Sequence, residues 1–127
     1  MAGIFTISLD YELQWGVFDK RDIRNRNTVY KNTLSLVPRM LELFEEYEVH
    51  VTWATVGSMF AKDILQWQEL KPSVEPKYER TEYSAYRWFD KCENVDEHAW
   101  ALFSPETIRQ IQQTHGQELA THTFSHF

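Results

Sequence analysis

One cysteine, four glycines and four prolines are all that the 127 residues hold of the types that staple, loosen or break a chain. The lone thiol, Cys92, excludes an internal disulfide framework and suits a reducing compartment. So little Gly and Pro argues against a disordered or low-complexity segment. Positive charge is in deficit: 13 Lys and Arg against 19 Asp and Glu give a formal net charge of −6. That balance carries no electrostatic footprint for nucleic acid or an anionic membrane, and neither is expected as a partner. No apolar run reaches the roughly 20 residues of a membrane-spanning helix. Asp10 and Glu12 interrupt the first apolar run, which has no basic prelude. No signal peptide is legible, and a cytoplasmic location is expected. Aromatic side chains are plentiful: five Trp, six Tyr and eight Phe make 15% of the chain, enough with the aliphatics for the core of one modest domain.

The order of elements reads as α/β, parallel strands alternating with helices. Residues 4–9, Ile-Phe-Thr-Ile-Ser-Leu, have strand composition and lead into Asp10-Tyr11-Glu12. Tyr30, Leu34, Val37, Leu41 and Phe44 step by four, three, four and three, which predicts a helix over about 28–47. Asn27 is its expected cap, and Pro38 is expected to kink or split it. Residues 49–56 read as a second strand ending at Gly57, and a second helix is expected from Ser58 to Trp67 with Ser58 as cap. Residues 69–96 break the rhythm with two prolines and with Tyr78, Tyr83, Tyr86, Trp88 and Phe89 among charges. We read an insertion with short helices at most, which either lines a cleft or packs its rings on the domain's own surface. Ser104-Pro105-Glu106 opens a further helix, Gly116 ends it, and residues 118–121 form a third strand.

The last strand delivers His122 and His126, four residues apart, to its C-terminal end. Alone the pair is a weak signal. In a parallel sheet, however, the C-terminal ends of all strands share one rim, so Asp10 and Glu12 belong beside the histidines. Glu12, His122 and His126 then form a two-His, one-carboxylate set with coordination positions left for water and substrate. A metal so held polarises a carbonyl and acidifies its bound water, and a carboxylate such as Asp10 can act as general base. The chemistry indicated is metal-assisted hydrolysis of an amide or ester. Trp15, in the loop after the acids, is a candidate platform for a sugar face, although a loop tryptophan is as often a core residue. Cys92 has no neighbouring feature that would activate it.

Three stretches carry a resemblance. Residues 7–12, Ile-Ser-Leu-Asp-Tyr-Glu, residues 51–57, Val-Thr-Trp-Ala-Thr-Val-Gly, and residues 115–126, His-Gly-Gln-Glu-Leu-Ala-Thr-His-Thr-Phe-Ser-His, resemble successive motifs of the polysaccharide deacetylase family (the NodB-homology domain, carbohydrate esterase family four). The resemblance implies a partial (β/α) barrel, with residues 1–127 as the N-terminal portion of the catalytic domain and 69–96 as an unmatched insertion. It implies Asp10 as catalytic base, Glu12, His122 and His126 as ligands of a divalent metal, expected to be zinc, and Thr123 as a support of the ligand loop by hydrogen bonds. The implied substrate is an N-acetylated carbohydrate or polysaccharide. Two departures stand out. Tyr11 separates acids that are usually adjacent, and the family's later motifs, including its general-acid histidine, do not occur before Phe127. A C-terminal segment or a homodimer is therefore expected to complete the barrel, and little deacetylation is expected of this chain alone. The alternatives are hydrolysis of another amide on the same scaffold, such as a small cyclic amide, or a non-catalytic metal- or sugar-binding fragment.

Overall fold

A computed structural model describes residues 3–126. Among them are four α-helices and one three-stranded parallel sheet of order β1-β2-β3, where β1 is Ser8–Tyr11, β2 is Val51–Thr55 and β3 is Gln117–Thr121. The register sets Asp10 beside Ala54 and Ala54 beside Ala120. Alternation then divides the sheet. Tyr11, Val51, Trp53 and Thr55 are buried on one face, whereas Ser8, Asp10 and Glu118 are exposed on the other. On that second face Thr52 donates to a Glu118 carboxylate oxygen at 2.7 Å.

The long helix α1, Asn27–Glu46, packs its predicted stripe on the buried face, with Tyr30, Val37 and Leu41 enclosed and Phe44 against Trp53 at 6.3 Å. Pro38 neither splits it nor ends it. Proline inside a helix costs about 3 kcal/mol. Burial of Val37 and Leu41 on either side of it, at about 1.5–3 kcal/mol each, offsets that. Asn27 is the first helical residue rather than the cap. Asp22 instead caps a short 3-10 turn, Ile23–Arg26, that runs straight into α1.

The remaining helices are α2 (Ile64–Leu70), α3 (Ala85–Lys91) and α4 (Pro105–Gln113). The second helix starts later than the sequence suggests. Asp63 caps it by accepting from the Gln66 amide at 2.8 Å, while Ser58 lies in a separate 3-10 turn, Gly57–Phe60. Pro105 opens α4 as expected, yet Ser104 makes no capping bond. Its hydroxyl is shared with the buried Tyr11 phenol at 2.8 Å. The first strand is also shifted: Ile4 and Phe5, expected within it, precede it and are almost fully exposed.

Residues 69–96 carry α3 and a short 3-10 turn, Thr81–Tyr83. Tyr86 and Phe89 are buried, with Phe89 stacked on Trp67 at 4.0 Å, so these rings pack into the chain's own core. Trp88, with Phe18, Asp19 and Lys91, borders a surface groove of about 490 Å³ whose lining includes none of Glu12, His122 and His126. No helix among the described residues is long and apolar enough to cross a membrane.

Candidate metal centre

Glu12 is the first residue beyond β1 and is fixed from both sides. Before it, Tyr11 is buried and its carbonyl accepts from Val56 at 3.3 Å. After it, Leu13, Gln14 and Trp15 are buried in a 3-10 turn, Leu13–Gly16. Gln14 ties that turn to its surroundings by donating to the Arg21 carbonyl at 2.8 Å and accepting from the Tyr30 phenol at 2.6 Å. Burial raises the Tyr30 pKa, against hydrogen bonding to Arg26, so the phenol stays a donor.

Gly16 closes the turn. A Cβ built there would stand 1.9 Å from Glu12 Oε1 and 2.1 Å from its Cδ. The carboxylate therefore lies in the space that glycine leaves.

The two histidines come from a tight turn after β3, not from a helix. His122 donates its amide to the Thr55 carbonyl at 3.0 Å, which extends the β2–β3 ladder by one residue. Gly57 then donates to the Thr123 carbonyl at 2.8 Å, and the Ser58 amide to the Phe124 carbonyl at 2.8 Å. Thr123 and His126 adopt positive φ, 60° and 76°. Left-handed backbone costs a non-glycine residue about 1–2 kcal/mol. Such strain persists where the surroundings fix the chain, as they do here.

The result is a convergence of three ligand atoms. Glu12 Oε2 is 3.3 Å from His122 Nε2 and 3.2 Å from His126 Nε2. One ligand atom from each residue lies within 4.8 Å of the others. The Glu12 oxygen is buried and accepts no hydrogen bond. A buried carboxylate oxygen left unbonded between two ring nitrogens is costly in the absence of a cation. Tetrahedral zinc, with ligand bonds near 2.0–2.1 Å, separates its ligand atoms by about 3.3–3.4 Å, so the two observed spacings fit. All three side chains keep between a fifth and a third of their surface, which leaves access from solvent.

Glu12, His122 and His126 are thus brought together as the sequence indicated. Asp10 is not one of the converging groups and sits exposed on β1. One expectation needs correction. Trp15 is no sugar platform: it is wholly buried, stacked on Trp67 at 5.8 Å and on Phe89 at 6.1 Å, and its indole N–H donates to the Leu102 carbonyl at 2.8 Å. A fully buried indole whose donor is satisfied inside the fold has nothing left for a ligand. Thr123 supports the loop through its backbone carbonyl, while its side chain faces solvent. The residues that hold the site and that sequence reasoning passed over are Gly16, Gln14, Tyr30, Ser58 and Ser125. A glycine four residues beyond a ligand carboxylate was the legible signal for the first. The others depend on contacts between distant parts of the chain.

Comparison with protein-family models, with curated proteins and with solved structures returned no match.

Proposed function

We propose that Glu12, His122 and His126 hold a divalent metal ion, zinc by the fit of its ligand set, and that the chain belongs to a hydrolase that removes N-acetyl groups from a carbohydrate. The observation that carries this reading is the convergence of Glu12 with two histidines more than a hundred residues away around one unbonded carboxylate oxygen. The motif resemblance to polysaccharide deacetylases supports the choice of substrate and the barrel of which this sheet would be part. When bound, the ion supplies Lewis acidity toward a carbonyl oxygen and acidifies water at an open position. The chain's own residues have distinct tasks. Glu12 brings the one negative charge of the ligand set, and the two imidazoles bind as neutral donors. Asp10, two residues before Glu12 on the solvent-facing side of β1, is the carboxylate available to take a proton from the attacking water.

The test is metal content after dialysis against trace zinc, for the parent and for His122→Ala, followed by acetate release from N-acetylglucosamine oligomers. About one equivalent in the parent and little in the variant is expected, with only slow acetate release, which Asp10→Asn abolishes while zinc is retained. A metal-free parent would refute the centre. A loaded parent that releases no acetate would refute the reaction. A second reading, a metal-binding unit without hydrolysis of its own, is favoured by one observation: the Asp10 carboxylate stands outside the converged set. Under it, Asp10→Asn changes nothing measurable.

A further inference from the structure

The turn that carries both histidines is locked from behind by side chains that no motif includes. Trp67, on α2, donates its indole N–H to Ser58 Oγ at 2.9 Å. Ser58 Oγ in turn donates to the Phe124 carbonyl at 2.7 Å, the same oxygen that accepts the Ser58 amide. Every polar atom of this chain of bonds is satisfied, and Ser58 and Trp67 are fully buried. Beside Trp67, at 6.2 Å between ring centroids, lies Tyr86 of α3, whose phenol hydrogen-bonds the buried Ser125 side chain. The Phe124 ring lies nearly parallel to Tyr86 at 6.5 Å and stacks on Trp67 at the same distance. Gly57 permits the close approach, since a Cβ there would stand 3.2 Å from Phe124 Cα.

A five-residue turn with two left-handed non-glycine positions does not hold itself. Thr123 and His126 occupy that region, and the bonds just named lie on the residues between the two ligands. Groups of this kind, which orient ligands without touching the ion, typically govern metal affinity by about 10–100-fold.

We infer that Ser58 and Tyr86 are positioning residues of the metal centre, and that α2, together with the aromatic stretch carrying α3, serves to lock the His122–His126 turn in its ligating geometry. The inference rests on the metal site proposed above. It gives the stretch 69–96 a task, through Tyr86, that its sequence did not disclose.

The experiment is zinc affinity, by competition with a chromophoric chelator, and the ligand-field absorption of the cobalt(II)-loaded protein. The chains compared are the parent, Ser58→Ala, Tyr86→Phe and Ile111→Val. The last trims the core of α4 away from the turn. Ser58→Ala and Tyr86→Phe should each bind zinc about 10–100-fold more weakly and change the cobalt band, because each removes one hydroxyl that fixes the turn. Ile111→Val should lower the melting temperature and leave affinity and band unchanged. Tyr86→Phe keeps its ring stacking and decides the matter by itself should Ser58→Ala not fold. Parent-like affinity and band in the Tyr86 variant would overturn the inference while leaving the metal site standing. A parent that binds neither ion would overturn both.

Discussion

Gly16→Ala separates the proposed metal centre from the fold. The backbone at Gly16 is not left-handed, so alanine fits it without strain. The new Cβ would meet Glu12 Oε1 at 1.9 Å, where ordinary contact begins at 3.4 Å, and the carboxylate must retreat by the difference, about 1.5 Å. Metal–ligand bonds tolerate about 0.2 Å, so the retreat removes Glu12 from the ligand set rather than stretching its bond. Two imidazoles remain. Zinc affinity should fall by at least the 10–100-fold that loss of an orienting group costs, and by as much as in Glu12→Gln. The fold should hardly notice. The displaced atoms are the free end of a flexible side chain, and replacing glycine at a compatible position stabilises by about 0.4–1 kcal/mol through the unfolded chain. Chelator competition for zinc, paired with denaturant unfolding of the metal-free protein, reads both effects. Zinc binding within threefold of the parent, in a variant that unfolds like the parent, would show that the carboxylate does not bind where the structure puts it.

Other substitutions test the frame around the site. Trp15→Ala should destabilise by about 3–5 kcal/mol in denaturant unfolding, the range for emptying a buried aromatic site, as a core residue would and a surface sugar platform would not. Ser104→Ala removes one of two hydrogen-bond neighbours of the buried Tyr11 phenol, Thr107 being the other, and should cost about 0.5–1.5 kcal/mol, with a smaller loss in the Tyr11→Phe background. Burial raises the pKa of Tyr11, Tyr30 and Tyr86 above the ordinary value of 10.0, against the lowering effect of their hydrogen bonds. Above that value the unfolded chain gives up protons that the folded chain keeps, so stability should hold below pH 10 and fall as pH rises beyond it. Denaturant midpoints across that range, read beside phenolate absorbance, should show the decline becoming shallower in Tyr11→Phe.

What the sequence disclosed follows the range of the physics involved. The stripe from Tyr30 to Phe44 is a local periodicity, and it survives into α1 because the burial that created the pattern is the burial observed. The three strands and their shared rim follow from order alone, which is why the sequence already sets Glu12 and the histidines together. Capping was less legible. Ser58 and Ser104 each precede a helical stretch and have the chemistry of caps, yet each is taken by a tertiary bond, to Phe124 and to Tyr11. A buried hydroxyl goes to whichever unsatisfied partner folding brings nearest, and neither partner is near in sequence. Trp15 is undecided in the sequence for the same reason. Its loop position allows a sugar platform or core packing, and the rings that cover it, Trp67 and Phe89, come from further along the chain.

The spacing of the two acids, which looked like a departure, has a structural reason. Successive residues of a strand face opposite sides, so Asp10 and Tyr11 must part company. Tyr11 takes the buried side, where its ring meets Trp53 edge-on at 6.2 Å and its hydroxyl meets Ser104. Asp10 is left on the solvent side of the sheet. Glu12 comes one residue later, where the strand has ended and the backbone turns at φ −145° and ψ −15° into the 3-10 turn. The turn, not the strand, aims it at the histidines. Were the second acid at position 11, it would share the interior with Trp53 and be desolvated without a partner. The intervening tyrosine therefore anchors the strand end between two acids and assigns them different surroundings. One is buried at its ligand oxygen and faces two imidazoles, which suits a metal ligand. The other is exposed beside it, which suits a group that must exchange protons with water.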